Sequence, residues 1–379
     1  MTSTDQQLPS TMKAIVLHGP GQSSVDTVPT PHPNPGSITI KVLHAMIHNN
    51  AKNIIKGSAA AGGFQFQQPY PHIPGGYGVG RVAAPGPDTT MPEFRRPGQL
   101  VIFDPFVRAR DDGDVAILHG AFDGIDERTK KFTRDNWRDG CWAEYVRMPL
   151  ENTWAVDENR LLGQLALKTE DLVFFGPLAV AYGGLRKINL TAGETIVVTP
   201  ATGLFSGAVV AVARAMGATV IAVSRNAEKL AELENNHPGL KTIVAGKTEN
   251  LTEAIAAHGS IDVVVDFSPP SATDSEYLGQ AIGALRRYGR VCLMGGRGDA
   301  TLPVPHAMMV FKDLTVRGSW MYERDHVRTL VKMVETGVLK LGKAAGLEVI
   351  ASYPLEKMDG ALDKGAEVGA SKMVVLGPQ

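Results

Sequence analysis

Apolar positions along this chain fall into two patterns. In the first, short β-rich runs stand between glycine- and proline-rich turns: MKAIVLHGPG from Met12, SITIKVLHAMI over Ser37–Ile47, and a strand leaving PHIPGGYGVGRVAAPGP at Pro71–Pro87. Strands punctuated in this way predict a β-rich module. The charged stretch Val107–Arg138 reads as a surface excursion, residues 1–11 as a loose polar tail, and DGCWAEYVRMPLENTWAV as a return to strand character. In the second pattern strands alternate with helical spacing. Asn159–Lys187 reads as helix, Ile196–Val198 as a buried strand, Ala208–Met216 as helix and Thr219–Val223 as strand. KTIVAG, a helix over Leu251–His258, IDVVVDFS, a helix over Tyr277–Arg286, GRVCLMGG and LTVRGSW follow. That alternation predicts a parallel sheet covered on both faces. His326–Lys340 has helical spacing, and Glu348–Leu376 reads as strand, helix, strand. The fold class is α/β, a β-rich module joined to a doubly wound parallel sheet.

The stretch TIVVTPATGLFSGAVVAVARAMGATVIAVSRN, Thr195–Asn226, organises the second part. A strand enters a turn of small residues from which a helix leaves, so backbone N–H groups and the positive helix end can approach a pyrophosphate. Where G-x-G-x-x-G is expected the chain has Ala201, Gly203 and Ser206, which keeps the central glycine and replaces the others by the next smallest residues. Thr202, Gly203, Leu204, Phe205 and Ser206 are therefore the candidate phosphate contacts. The second strand ends in Ser224, Arg225 and Asn226, with Lys229 beyond, where an NAD site would carry an acid for the ribose hydroxyls. A hydroxyl, a guanidinium and an amide suit a 2′-phosphate instead, so the cofactor expected is NADPH/NADP. The alternative for the same residues is a solvated helix start with an Asn cap.

Composition narrows this reading without redirecting it. At 379 residues the chain is long enough for two domains, and 44% hydrophobic with 20% charged residues is ordinary for a globular protein. A net charge of −1 gives no reason to expect nucleic acid or an anionic membrane as partner. The uncharged run Thr195–Ala213 has spanning length, but its Pro, Gly, Thr and Ser content argues against a membrane helix. Two cysteines, Cys141 and Cys292, cannot supply a disulfide framework or a four-thiolate zinc site. With no secretory pattern at the N-terminus, the expected location is cytoplasmic.

Taken in order, MKAIVLHGPG, IKVLHAMIHNNAKNIIKG, PHIPGGYGVGRV, DGCWAEYVRMP, TAGETIVVTPATGLFSG, GATVIAVSRNAEKL, DVVVDFS, GRVCLMGG and SKMVVL resemble the medium-chain dehydrogenase/reductase superfamily from Met12 to Leu376. The resemblance implies a GroES-like substrate domain, 1–157 with 341–379, and a Rossmann domain, 158–340, with the active site between. It also implies cofactor contacts at Ser268, Pro269, Met294, Gly295, Gly296, Trp320 and Met321, and a homodimer joined through the DLTVRGSW edge strand.

Where zinc alcohol dehydrogenases of this superfamily place their metal ligands, the resemblance puts His48, Gly76 and a position near Gly176, and it puts Asn50 and Asn53 at the proton relay. Only His48 is a ligand type, and zinc needs about three; His44 and Asp104 have no spacing that proposes a replacement. No metal is expected. Hydrogen-bond donors must then stabilise the substrate oxygen, and His48, Tyr77 and Asn53 are the candidates, although a His at a strand end or a Tyr after two glycines also serves structure alone. The function expected is zinc-independent, NADPH-dependent reduction of an activated C=C, a ketone or an imine in a small to medium apolar molecule. A non-redox cyclase or isomerase, a non-catalytic NADPH-binding module and a zinc-dependent alcohol dehydrogenase stay open.

Overall fold

The computed structural model describes residues 8–57, 67–94, 96–269, 276–296, 301–302, 304–369 and 371–378. Two sheets organise them. The six-stranded sheet runs Lys241–Val244, Thr219–Ser224, Thr195–Thr199, Ile261–Asp266, Leu285–Leu293 and Thr315–Gly318 in spatial order, every neighbouring pair parallel. In chain order that is 3-2-1-4-5-6, the doubly wound arrangement that opens a crevice where the order reverses. The crevice lies between the ends of Thr195–Thr199 and Ile261–Asp266.

The seven-stranded sheet is built around Ser37–Ile47, which pairs antiparallel with Gly78–Pro85, Tyr145–Pro149 and the late strand Lys372–Leu376. Glu348–Tyr353 extends it on one side, Leu100–Phe103 and Thr153–Ala155 on the other. One apolar core joins the sheets: Met46, Val79 and Ile102 of the first, Leu178, Ala181 and Leu185 of the helix Phe175–Lys187, and Ile196 and Val198 of the second. Each fully buried side chain of this size contributes about 1.5–3 kcal/mol, so the core holds the two sheets in a fixed relation across the crevice.

Several elements depart from the pattern expected. Residues 1–7 of the tail lie outside those described, and Thr11 already opens the strand Thr11–Gly19. That strand pairs with Gln22–Pro29, whose polar, largely exposed sequence carries no apolar signal and which is held by its partner. Val107–Arg138 is no simple excursion. It holds the hairpin Phe106–Arg108 with Ala116–Leu118 and the helix Glu127–Asn136, anchored by buried Val107, Ile117 and Phe122. Asp126 and Thr129 close that helix start reciprocally, each side chain accepting the other's backbone N–H.

Asn159–Lys187 breaks into a π-helical turn Asn159–Gln164, a 3-10 turn Thr169–Phe174 and the helix Phe175–Lys187; Ala166, at φ +52°, turns the chain between the first two. The helix from Tyr277 stops at Gly283, because Leu285 already belongs to the next strand. Among the described residues no helix is long and apolar enough to cross a membrane.

Candidate active site

The nucleotide turn is shorter than the sequence suggests. Gly203 is the N-cap, extended at φ −92° and ψ 167°, and its N–H donates to Ser206 Oγ at 2.9 Å. With that amide satisfied, the helix begins at Leu204 rather than Ala208 and runs to Ala215. Its first-turn amides and positive end face the crevice, the arrangement that takes a phosphate. Thr202 Oγ1 lies 2.7 Å from Ser224 Oγ, tying the turn to the end of the next strand. Arg225 and Asn226 follow, exposed. Asn226 Oδ1 accepts the Lys229 amide at 2.9 Å and caps the helix Ala227–Asn236, leaving its NH2 group and the Arg225 guanidinium directed outward.

The far side of the crevice is equally close-built. The Ser268 amide donates to Asp266 Oδ1 at 3.0 Å, as does its hydroxyl, and the Met294 amide donates to the Asp266 carbonyl at 2.9 Å. A Cβ on Gly295 would stand 2.4 Å from the Ser268 carbonyl oxygen, so only glycine fits. Pro269 is exposed at the rim, and Gly296 has open space around its Cα. Lys187 Nζ, which sequence reasoning missed because it reads as an ordinary last-turn lysine, donates to the carbonyls of Trp320 and Met321 at 3.2 and 3.4 Å. It thereby pins Met321 at φ +58° and the half-exposed Trp320, whose ring meets Phe106 edge-on at 5.1 Å.

His48 stands where the two halves meet. It follows the strand Ser37–Ile47, and its ring centroid lies 5.4 Å from that of Phe205 in the nucleotide turn. Phe205 in turn stacks at 6.4 Å on Phe267, a wall residue the sequence reading passed over although it follows the apolar strand DVVVD directly. His48 Nδ1 accepts the Asn50 amide at 2.9 Å, which leaves the ring proton on Nε2. Burial lowers its pKa to about 4, so near neutral pH His48 is an uncharged N–H donor. Asn53 donates from Nδ2 to Asn50 Oδ1 at 2.8 Å and fixes the loop that presents it.

The two glycines at which the resemblance places further ligands are closely packed. A Cβ at Gly76 would meet Pro105 Cβ at 2.5 Å, and a Cβ at Gly176 would meet the Tyr77 ring at 2.6 Å. No ligating side chain fits at either glycine, and among the described residues no three His, Cys, Asp or Glu side chains group as a metal site. His44 bonds Thr169 instead, through Nε2 at 3.0 Å. The thiol pKa values are raised by burial, that of Cys292 to about 12, so both cysteines stay protonated.

Tyr77 lays its ring on Gly176 and directs its hydroxyl towards Tyr322 and Asp104. All three are buried, and neither phenol oxygen nor Asp104 Oδ2 has a partner of good geometry. Burial pushes Asp104 up to about 7, against the opposing pull of Tyr322, the Phe106 amide and Asn152. The Tyr77 phenol is raised as well, by burial first, and remains protonated. Of the predicted site residues, the structure thus brings together His48, Asn53 and Phe205, joins Thr202 to Ser224, and sets Tyr77 into a separate buried cluster behind Gly176.

Comparison with known proteins accords with this fold. The family model for the alcohol dehydrogenase GroES-like domain matches residues 34–158, and that for zinc-binding dehydrogenase matches 206–336. An alcohol dehydrogenase of Moraxella sp. (strain TAE123) is 26% identical over 369 residues, covering 93% of this chain and 95% of its own. One from Rhizobium meliloti (strain 1021) is 27% identical, covering 86% and 89%. Among solved structures, the alcohol dehydrogenase TADH from Thermus sp. ATN1 covers 96% of this chain and 100% of its own at a TM-score of 0.76; at 21% identity it bears on the fold alone. From the two matched domains, the 3-2-1-4-5-6 sheet and the turn at Gly203, the chain belongs to the medium-chain dehydrogenase/reductase superfamily and is an alcohol dehydrogenase-like oxidoreductase.

Proposed function

We propose that this protein is an NADPH-dependent reductase that works without a catalytic metal, acting on an activated C=C, a ketone or an imine of a small to medium apolar molecule. The observation that carries this reading is the closure of the metal's place: Gly76 is packed by Pro105, Gly176 is covered by the Tyr77 ring, and His48 alone remains. The zinc-binding description belongs to a model that matches 206–336, a span that includes none of those three positions.

Bound in the crevice, the reduced cofactor supplies a hydride. Gly203–Ser206 would hold its pyrophosphate, and Phe205, Phe267, Met294 and Trp320 would contact its nicotinamide end. Neutral His48 donates a hydrogen bond from Nε2 to the substrate oxygen or nitrogen as negative charge develops there, keeping its own proton, and solvent water supplies the proton that completes the reduction. Asn53 holds the loop, and Tyr77 fills the volume beside Gly176. The test is to follow NADPH absorbance against enone, ketone and imine panels with a strong chelator present throughout. Turnover in the chelator supports the reading; turnover that appears only when zinc is restored overturns it.

Preference for the phosphorylated cofactor rests on Ser224, Arg225 and Asn226, which present no acid to the ribose. Arg225→Ala is expected to weaken NADPH binding about 10-fold or more, the loss of one charged hydrogen bond of roughly 1.5–3 kcal/mol, with NADH affinity little changed. Titration calorimetry with both cofactors reads the difference, and equal losses would remove Arg225 from phosphate recognition.

A homodimer paired along Thr315–Gly318 completes the proposal. That strand is the outer one of its sheet, and Val310 and Phe311, just before it in the chain, are exposed. A monomer mass by light scattering at micromolar concentration would defeat it.

A further inference from the structure

A second cavity, of about 540 Å³, shares no lining residue with the nucleotide turn or the His48 loop, and its size is that of a ligand pocket, commonly about 300–1,000 Å³. One wall is apolar, formed by Met12, Val16, Val28, Pro29, Pro31 and Tyr145. The polar part of the lining carries His72, His119, Arg134, Arg138, Asp139 and Arg147.

The charges on the polar wall nearly cancel. Arg134 is paired with buried Asp123, Arg138 with Asp139 at 2.8 Å, and Asp135 with Lys131 at 2.5 Å. Asp139 also accepts the Ile73 amide at 3.1 Å. Arg147 is different. It donates from Nη2 to the Asn136 carbonyl at 2.8 Å and lies over the Trp137 ring at 5.5 Å, and among the described residues no carboxylate stands within ion-pair distance of it. It is half-buried; burial works against its charge, and Asp139, on the same lining but beyond ion-pair distance, favours it.

The lining also includes two buried histidines with unpartnered ring nitrogens. His72 is 1% exposed and neither of its ring nitrogens has a partner; His119 is 1% exposed and its Nδ1 has none. A buried N–H left without an acceptor is costly, and native structures seldom keep one without reason. One guanidinium outside any ion pair and a long apolar lining describe an amphipathic monoanion. A dianion would bring a charge the wall does not match, and two imidazoles without a third ligand do not make a metal site.

We propose that this cavity binds an organic monocarboxylate with an apolar tail, the carboxylate held by Arg147 and the tail laid along Val28, Pro29 and Tyr145. Bidentate contact between a guanidinium and a carboxylate gives such a site both affinity and orientation.

Calorimetric titration of the full chain with octanoate, with octanamide as its neutral twin, tests this. Octanoate is expected to bind at least 10-fold more tightly than octanamide. Arg147→Gln should weaken octanoate at least 10-fold and leave octanamide within about two-fold. Val28→Trp, which fills the apolar wall without touching the charge, should weaken both, and NADPH affinity should be unchanged in either variant. Octanoate binding that is absent, that ignores both substitutions, or that is weaker than binding of inorganic phosphate overturns the proposal. Should Arg147→Gln fail to fold by circular dichroism, the Val28→Trp titration decides alone, and unchanged octanoate affinity there overturns it equally.

Discussion

His48→Ala is expected to lower kcat/KM about 10²- to 10³-fold for the best substrate of the panel, the loss that follows removal of one donor to a developing oxyanion, while NADPH affinity changes only a few-fold. The expectation follows from geometry. Nδ1 is committed to the Asn50 amide, so Nε2–H is the end available to substrate, and the ring meets Phe205 at the inner edge of the nucleotide turn. His48→Gln places an amide N–H at comparable reach and should recover a substantial part of the rate. The pH profile separates this role from acid catalysis by an imidazolium. With a pKa near 4, His48 is already neutral at pH 5, and the rate should stay flat from there to pH 8. A fall in rate above pH 6.5, or His48→Ala activity within three-fold of the parent, would end the assignment.

The second large effect is on stability. His48, His72 and His119 all have folded-state pKa values lowered by burial to about 4, against about 6.5 unfolded. Between those values the unfolded chain binds protons that the folded chain refuses, so their contribution is present above pH 6.5 and lost as pH falls towards 4. Asp104 acts in the opposite sense. Raised to about 7, it is protonated when folded and ionised when unfolded between about pH 4 and 7, so its share favours the folded state at the acid end. Three imidazoles outweigh one carboxyl. The protein should be more stable at pH 7 than at pH 5 by about 3 kcal/mol, an order-of-magnitude figure. Urea unfolding at the two pH values measures it. His72→Phe, which removes one buried imidazole, should shrink the difference, and equal stability at both pH values would mean that these rings are not held neutral.

What could be read from the sequence was what local chemistry writes into it. The strands Ser37–Ile47 and Thr195–Thr199 announce themselves as apolar β-branched runs, and the missing acid after Val223 needs no coordinates. The early helix start could not be read in the same way, because it depends on the Ser206 hydroxyl reaching back to one amide. Nor could Gln22–Pro29, a strand held only by its partner. At the candidate site, the sequence shows glycine at Gly76 and Gly176, where the resemblance expects ligands. That each is also filled, one by Pro105 and the other by Tyr77, is long-range packing between segments far apart in the chain, for which no spacing rule exists. The cluster of Tyr77, Asp104 and Tyr322 was invisible for the same reason, since three segments supply it.

The pairing of Val374, Val375 and Leu376 with Ile47, Met46 and Ala45 has a bearing on how the protein is made. During synthesis the strand beside His48 leaves the ribosome long before the partner that covers its flank. The six-stranded sheet, drawn wholly from Thr195 to Gly318, is by then already complete in sequence and can fold as a unit. The nascent GroES-like half therefore waits with only the Ala45–Ile47 end of its central strand open, Ser37–Lys41 being already paired with Tyr145–Pro149, while the nucleotide-binding half has all its strands in hand.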